Sequence, residues 1–471
     1  MTRDPSSRLR QSHNELIKLS QSWASGRRFD PIRAGRLREE AILLNHAHCV
    51  QAIPVYRRLA QETGRGEPRS IQDIERYFMS SDDIFKSYDP RWLDEGRFDQ
   101  MNLWLTQVFH RPVQVNVQGI ESIDDWIERL GVAGIHTVYS SGTSGAFSFV
   151  PREQAEWSLA RTANICYLTA LLSHQKVRNS LADSLRSRAG ALLSPDAFAG
   201  LVDKVGLREF DCVFLGFNGG RMGNQALIQE LGPIFGRRLC LYEAGLSASA
   251  LHRLRRGVCS EQDRELVERF QAETVGKREQ NFERIVSQMK ASATEGRKVF
   301  LFGAPYQFSE MCRFMSDRRE RVPLNAASLI LFGGGWKSFA GEEIEREALV
   351  ASLADSFGLP QERILEGYSM TEMSALILRC DSGRFHIPPL MEPALFDEEL
   401  RPIEGGETSG VFGFLDPFAV SRPGFVISGD QVTMIDGECA CGLSGPALTR
   451  IGRARGREVK GCGGIMGSIR A

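Results

Sequence analysis

Residues 140–145 read Ser-Ser-Gly-Thr-Ser-Gly and follow a short β-type run, Ile135–Tyr139. Gly142 and Gly145 let the backbone turn so that several N–H groups converge, and the hydroxyls of Ser140, Ser141, Thr143 and Ser144 add donors. Such a loop suits phosphate oxygens. A helical pattern from Pro151 to about His174 predicts a strand–loop–helix setting around it. Serine- and glycine-rich turns also serve merely as punctuation, so the motif gains meaning only from its company.

Three downstream stretches supply that company. Ile364–Glu372, ILEGYSMTE, is an apolar strand running into a turn with a carboxylate beyond it. Open α/β sheets bind ligands at such strand ends, and Glu372 there can offer oxygen to Mg²⁺ beside nucleotide phosphates. Leu331–Lys337 reads LFGGGWK; Gly333, Gly334 and Gly335 allow a flat ring to lie on the backbone, and Trp336 can wall the pocket. The same residues also read as a helix-entry turn. In Phe425–Asp430, FVISGD, Asp430 can accept hydrogen bonds from two ribose hydroxyls, or the Ser-Gly-Asp can be a plain turn.

The elements that must position these residues change character along the chain. Residues 1–130 are mainly helical in pattern, with helical runs at Arg33–Glu62, Ile71–Met79 and Gln100–Phe109. Residues 131–375 alternate strands with helices; the strand candidates are Ile135–Tyr139, Cys212–Phe217, Leu239–Tyr242, Val299–Phe302, Ser328–Phe332 and Ile364–Tyr368. This predicts an α/β fold with helix-covered sheets. Residues 376–453 read as a β-rich subdomain, and 454–471 as a flexible arm carrying Cys462. The charged run Glu261–Lys290 reads as a solvated helix face, and the His46/His48 pair as structural.

Composition narrows the function classes. The 471 residues are 42% hydrophobic and 25% charged, with a formal net charge of −1, so no overall field favours nucleic acid or an anionic membrane. No apolar run approaches the roughly 18–20 residues that span a bilayer. The polar start and the ten scattered cysteines predict a cytoplasmic protein without a disulfide framework.

Taken together and in order, the motifs resemble the adenylate-forming superfamily, whose members join a carboxylic acid to ATP to give an acyl-AMP and pyrophosphate. SSGTSG resembles its phosphate loop, Tyr368-Ser369-Met370-Thr371-Glu372 its Tyr-x-x-Thr-Glu element, Asp430 its ribose-binding Asp, and Ile451-Gly452-Arg453 its hinge Gly-Arg. The resemblance implies ATP and Mg²⁺ as cofactors, with Thr143 and Glu372 catalytic. It also implies that Tyr368, Ser369, Thr371 and Arg453 help to bind the nucleotide. Two departures stand out. Ala146-Phe147-Ser148 replaces the usual Pro-Lys after the loop, and 18 residues follow Arg453, so the family's mobile C-terminal domain reads as absent or vestigial.

LFGGGWK, EGYSMTE, HIPP and the terminal GREVKGCGG resemble a narrower branch, the acyl-protein synthetases of the bacterial luminescence fatty-acid reductase system. That resemblance implies that Cys462 takes the acyl group from the adenylate as a thioester for an acyl-accepting partner protein. The chemistry is sound, since a thiolate attacks a mixed anhydride readily, and Arg455, Arg457 and Lys460 nearby favour the thiolate. A free cysteine in a frayed tail is the plain alternative. Cys380, His386, Cys439 and Cys441 have the composition of a structural zinc site, or of reduced core residues. A comparable site occurs in phenylacetate–CoA-ligase-like relatives. Two other functions stay open: an aryl- or acyl-CoA ligase, and a degenerate protein that binds an acyl or nucleotide ligand without chemistry.

Overall fold

The computed structural model describes residues 4–26, 29–141, 146–174, 207–336 and 343–454. The α/β expectation holds, in a mixed architecture of three sheets. The central sheet runs in the order β5 (Arg237–Gly245), β4 (Phe210–Gly219), β6 (Lys298–Gly303), β7 (Leu329–Gly333), β8 (Ile364–Tyr368), β9 (Ile377–Leu378). Its first five strands are parallel and β9 closes one edge antiparallel. Parallel strands are buried on both faces, and the alternation here sorts side chains between two layers. Val213, Leu215, Leu301 and Ile330 pack with Phe282, Ile285 and Met289 of the helix Arg278–Thr294. Cys212, Phe214, Phe302 and Leu331 face the helices Pro5–Ala24 and Gln154–His174.

The β-rich C-terminal region forms a second sheet in the order β10 (Phe385–His386), β14 (Ala447–Arg453), β13 (Phe425–Ile435), β12 (Thr408–Leu415), β11 (Glu392–Phe396). The FVISGD and QVTMID runs are one continuous strand, so Ser-Gly-Asp is not a turn. Phe425 and Ile427 point to the helices Pro31–Ala52, Pro54–Glu62 and Ile71–Tyr77, whereas Val426 faces the opposite cluster with Phe412 and Phe414. A two-residue strand near the chain start, β1 (Ser80–Ser81), joins β13 in parallel.

One expectation is overturned. Residues 147–153 form strand β3 (Phe147–Glu153), antiparallel to β2 (Ile135–Ser141), and the helix begins only at Gln154. The glycine-rich segment therefore joins two strands of a hairpin and does not run from a strand into a helix. Phe147 and Phe149 must both reach the aromatic core around Tyr88, Trp104 and Trp126, which an extended backbone allows through its period of two. Tyr88 pins this backbone, its hydroxyl accepting from Phe147 N and donating to Phe147 O, each at 3.0 Å. The charged run is likewise divided, into helices Glu261–Gln271 and Arg278–Thr294 around a π-helical turn at Ala272–Gly276. No helix among the described residues is long and apolar enough to cross a membrane.

Candidate functional site

A cavity of about 300 Å³ opens between the central sheet, the helix Gln154–His174, the 369–376 segment and β13. One wall is the sheet itself. Phe300 and Phe302, Leu329 and Leu331, and Leu365 and Gly367 are paired two apart along β6, β7 and β8 and lie in cross-strand register. Their intervening neighbours go to the other face. The facing wall is the helix stripe Trp157, Ala160, Arg161, Asn164, Ile165 and Leu168, at the spacing that puts residues on one side of a helix. One end of the cavity is thus aliphatic and aromatic.

The other end is polar and collects residues from all the motifs. Ser140, Gly333, Gly334, Ser369, Thr371, Glu372, Asp430 and Arg453 line it. Asp430 is gripped on both oxygens: Tyr368 Oη donates to Oδ2 at 2.9 Å, and Arg453 Nη1 pairs with Oδ1 at 3.0 Å. Tyr368 does not line the cavity but orients Asp430 from behind, and burial keeps its hydroxyl protonated. Glu372 is 3% exposed; its Oε2 accepts from Thr371 Oγ1 at 2.7 Å, while Oε1 has no hydrogen-bond partner. The helix holds this segment in place, Asn164 donating to Ser374 O at 2.6 Å and accepting from Leu376 N at 2.8 Å.

The glycine turn after β7 has a steric cause. A Cβ on Gly333 would meet Gly367 O at 2.6 Å, and Gly334 and Gly335 have φ of +89° and +66°. Gly335 and Trp336 stand outside the cavity lining. Gly142, Thr143, Ser144, Gly145 and Cys462 lie outside the described residues, as does the side chain of Ser141.

Several lining residues carried no signal in the sequence. Arg152, Asp82, Trp157, Arg161 and Asn164 come to the cavity only through the fold. Arg152 is 2% exposed and belongs to a buried ion cluster. Glu156 Oε1 lies 3.6 Å from Arg152 Nε and 3.3 Å from Arg422 Nε. Its Oε2 accepts from Ser421 N at 2.7 Å and Ser421 Oγ at 2.6 Å. The Arg152–Glu156 spacing of four is visible in the sequence, but Arg422 is 270 residues further along the chain. On the cavity wall Arg152 Nη1, Trp157 Nε1, Glu372 Oε1 and Ser374 Oγ are buried without a hydrogen-bond partner. Buried polar atoms left unpaired are destabilising by about 1–3 kcal/mol each, so a polar ligand fits this end chemically.

The four zinc candidates converge elsewhere, where β10 meets the turn between β13 and β14. The Sγ atoms of Cys380, Cys439 and Cys441 and a ring nitrogen of His386 all lie within 4.8 Å of one another. Cys380 Sγ is 3.9 Å from Cys439 Sγ, and Cys441 Sγ is 3.3 Å from His386 Nε2. Burial lowers the His386 pKa to about 4, so the imidazole is neutral and has a lone pair to offer. His46 and His48 are structural, His46 Nδ1 lying 3.0 Å from Tyr56 Oη and His48 Nε2 2.9 Å from Val420 O. Phe217 on β4 and Tyr306 just after β6 are packed in the core and do not line the cavity.

The family model of acyl-protein synthetase, LuxE, matches residues 268–469. That span is about 43% of the chain and holds the GGGWK, YSMTE, SGD and GR motifs together with Cys462. The chain resembles the acyl-protein synthetases. Two curated relatives are long-chain-fatty-acid–luciferin-component ligases, from Vibrio harveyi at 26% identity and from Aliivibrio fischeri at 24%, each over 191 residues. The match takes in 40% of this chain and 50% of each relative, so the chain spans half the length of the curated relatives it matches. A solved structure of 2-hydroxyisobutyryl-CoA ligase with R3-HIB-AMP is similar at 13% identity and a TM-score of 0.49, covering 91% of this chain and 71% of that one. SSGTSG lies outside the family match.

Proposed function

We propose that this chain activates a carboxylic acid with ATP and then carries the acyl group as a thioester on Cys462. The observation that supports this best is the two-ended cavity. Its polar end unites Asp430, Glu372, Thr371 and Ser140, and it runs on into an apolar arm walled by Phe300, Phe302, Leu329, Leu331 and Ile165. A nucleotide suits the first end, with its ribose on Asp430 and its phosphates toward Ser140. An aliphatic acid suits the second. Glu372, whose Oε1 is unpaired, is the residue that would hold Mg²⁺, and the cation would offset phosphate charge.

In the first step a carboxylate oxygen attacks the α-phosphorus; one O–P bond forms, the bond to pyrophosphate breaks, and no proton moves. In the second the Cys462 thiolate attacks the acyl carbonyl and AMP leaves. The thioester keeps the acyl group activated for a partner protein. Cys380, His386, Cys439 and Cys441 would hold a structural Zn²⁺ that ties β10 to the β13–β14 turn, away from the cavity.

Intact-mass measurement after incubation with ATP, Mg²⁺ and a panel of fatty and aromatic acids tests this. The expected result is an acyl mass shift, removed by hydroxylamine and lost in Cys462→Ser. Acid-dependent pyrophosphate release without a protein adduct would leave activation standing, remove Cys462 from it and favour a CoA ligase. No release with any acid would refute activation and favour a ligand-binding protein without chemistry.

A further inference from the structure

A site for a polyanion needs fixed positive charge, yet the loop and its continuation, residues 140–148, contain no lysine or arginine. Arg453 lines the cavity but is engaged by Asp430. Arg152 differs from both. It is almost wholly buried, lines the cavity and leaves Nη1 without a hydrogen-bond partner. Its Nη2 donates to Thr371 O, which anchors it against the turn that carries Glu372. Its Nε faces Glu156, and that carboxylate is shared with Arg422 and tied down by Ser421. Asp416, 4.0 Å from Arg422, balances the second arginine, so the cluster holds Arg152 in place while its Nη1 stays without a protein partner.

We infer that Arg152 is a catalytic residue that donates a hydrogen bond from Nη1 to the α-phosphoryl group of the nucleotide. The inference rests on the nucleotide reading of the cavity given above. With the ribose on Asp430, the first phosphoryl group beyond it is the α-phosphate, and Arg152 and Glu372 flank the Thr371 turn on that route. The reaction raises negative charge on those oxygens as the incoming carboxylate bonds to phosphorus and pyrophosphate departs. A guanidinium already held in place meets that charge without reorganising, and in a dry site the interaction is strong. Burial lowers the Arg152 pKa to about 9, which still leaves it protonated at neutral pH. Its geometry is fixed by protein contacts, since Glu156 and the Thr371 carbonyl hold the other guanidinium nitrogens.

The test compares full-length wild type, Arg152→Met and Arg152→Lys. Each is titrated with adenosine, which has no phosphate, and with AMP, and each is assayed for acid-dependent ATP–pyrophosphate exchange. Adenosine affinity is expected to stay within about threefold in all three. Arg152→Met is expected to lose the preference of wild type for AMP, with exchange falling about 10²- to 10³-fold and Arg152→Lys in between. An Arg152→Met protein that keeps both the AMP preference and the exchange rate overturns the inference, as does a wild type that binds AMP no better than adenosine. If Arg152→Met no longer binds adenosine, its fold is damaged and Arg152→Lys decides, since lysine keeps the charge in the cluster. An AMP preference unchanged in Arg152→Lys then overturns the inference, and a loss of about fivefold or more supports it. A wild type without exchange, whose AMP preference still disappears in Arg152→Met, refutes acid activation and leaves the phosphoryl contact standing.

Discussion

Glu156→Gln is the substitution whose effect follows most directly from the buried cluster. Arg152, Glu156 and Arg422 have side chains only 0–2% exposed, with the carboxylate between the two guanidinium groups. Glutamine keeps the shape and can still accept from Ser421. It removes the negative charge, however, and turns an NH₂ toward a cation. The two arginines then lose the carboxylate between them and keep only the longer contact of Arg422 with Asp416, at 4.0 Å; breaking a buried pair in this way is destabilising by about 3–5 kcal/mol. With an unfolding entropy near 2.1 cal/mol/K per residue, a chain of 471 residues has about 1 kcal/mol/K at its midpoint. The melting temperature should therefore fall by about 3–5 °C, read by differential scanning calorimetry. Removing the cation beside the lost anion should recover part of this. Glu156→Met combined with Arg152→Met should be less destabilised than the sum of its parts by about 1–3 kcal/mol. A Glu156→Gln protein melting within 1 °C of wild type, or strictly additive effects in the pair, would refute the view that Glu156 neutralises the cluster.

The remaining predictions concern separate parts of the molecule. Asp430→Asn removes the charge that Arg453 pairs with and weakens acceptance from a ribose, so ATP affinity should drop about 10- to 100-fold; an unchanged affinity by calorimetry would remove Asp430 from the nucleotide site. Leu331→Trp adds bulk to the apolar arm, so the acid panel should shift toward shorter chains, and an unaltered chain-length profile would place the acyl group elsewhere. Cys441→Ser should abolish one equivalent of zinc in elemental analysis and lower the melting temperature; equal metal content in both proteins would rule out the site. Glu75 is half-buried, and burial, with Glu392 and Glu404 close by, raises its pKa to about 7. The folded state then holds the proton more tightly than the unfolded state, so this group makes stability decline as pH rises from about 4.5 to 7. Glu75→Gln should flatten that decline and gain about 1–2 kcal/mol at neutral pH, discounted for partial exposure; a pH profile parallel to wild type would contradict it.

Much of the site was legible because each motif is local. Gly333 and Gly334, Thr371 and Glu372, and Asp430 each sit at a strand end or within a strand whose apolar pattern marks it, and all of them reach one cavity. The zinc candidates were legible by composition, and their ligand atoms converge within 4.8 Å. Strand β3 was not legible, because Pro151 reads as a helix start. Its partner in the hairpin, Thr137, and the aromatic cluster that receives Phe147 and Phe149 prevail over that local signal.

What the sequence determined by itself is the set of chemical groups and their backbone settings: glycines where the chain must turn, acids at strand ends, and alternating apolar residues that make a helix-covered sheet. Tertiary structure alone decided which groups meet. Arg152 and Arg422 share Glu156 across 270 residues of chain, and Tyr368 reaches Asp430 across 62. One wall of the cavity is built mainly from alternate residues of three neighbouring strands, a surface that exists only once the strands have paired in register. Local spacing is written along the chain, whereas convergence depends on which faces the packed layers bury against each other.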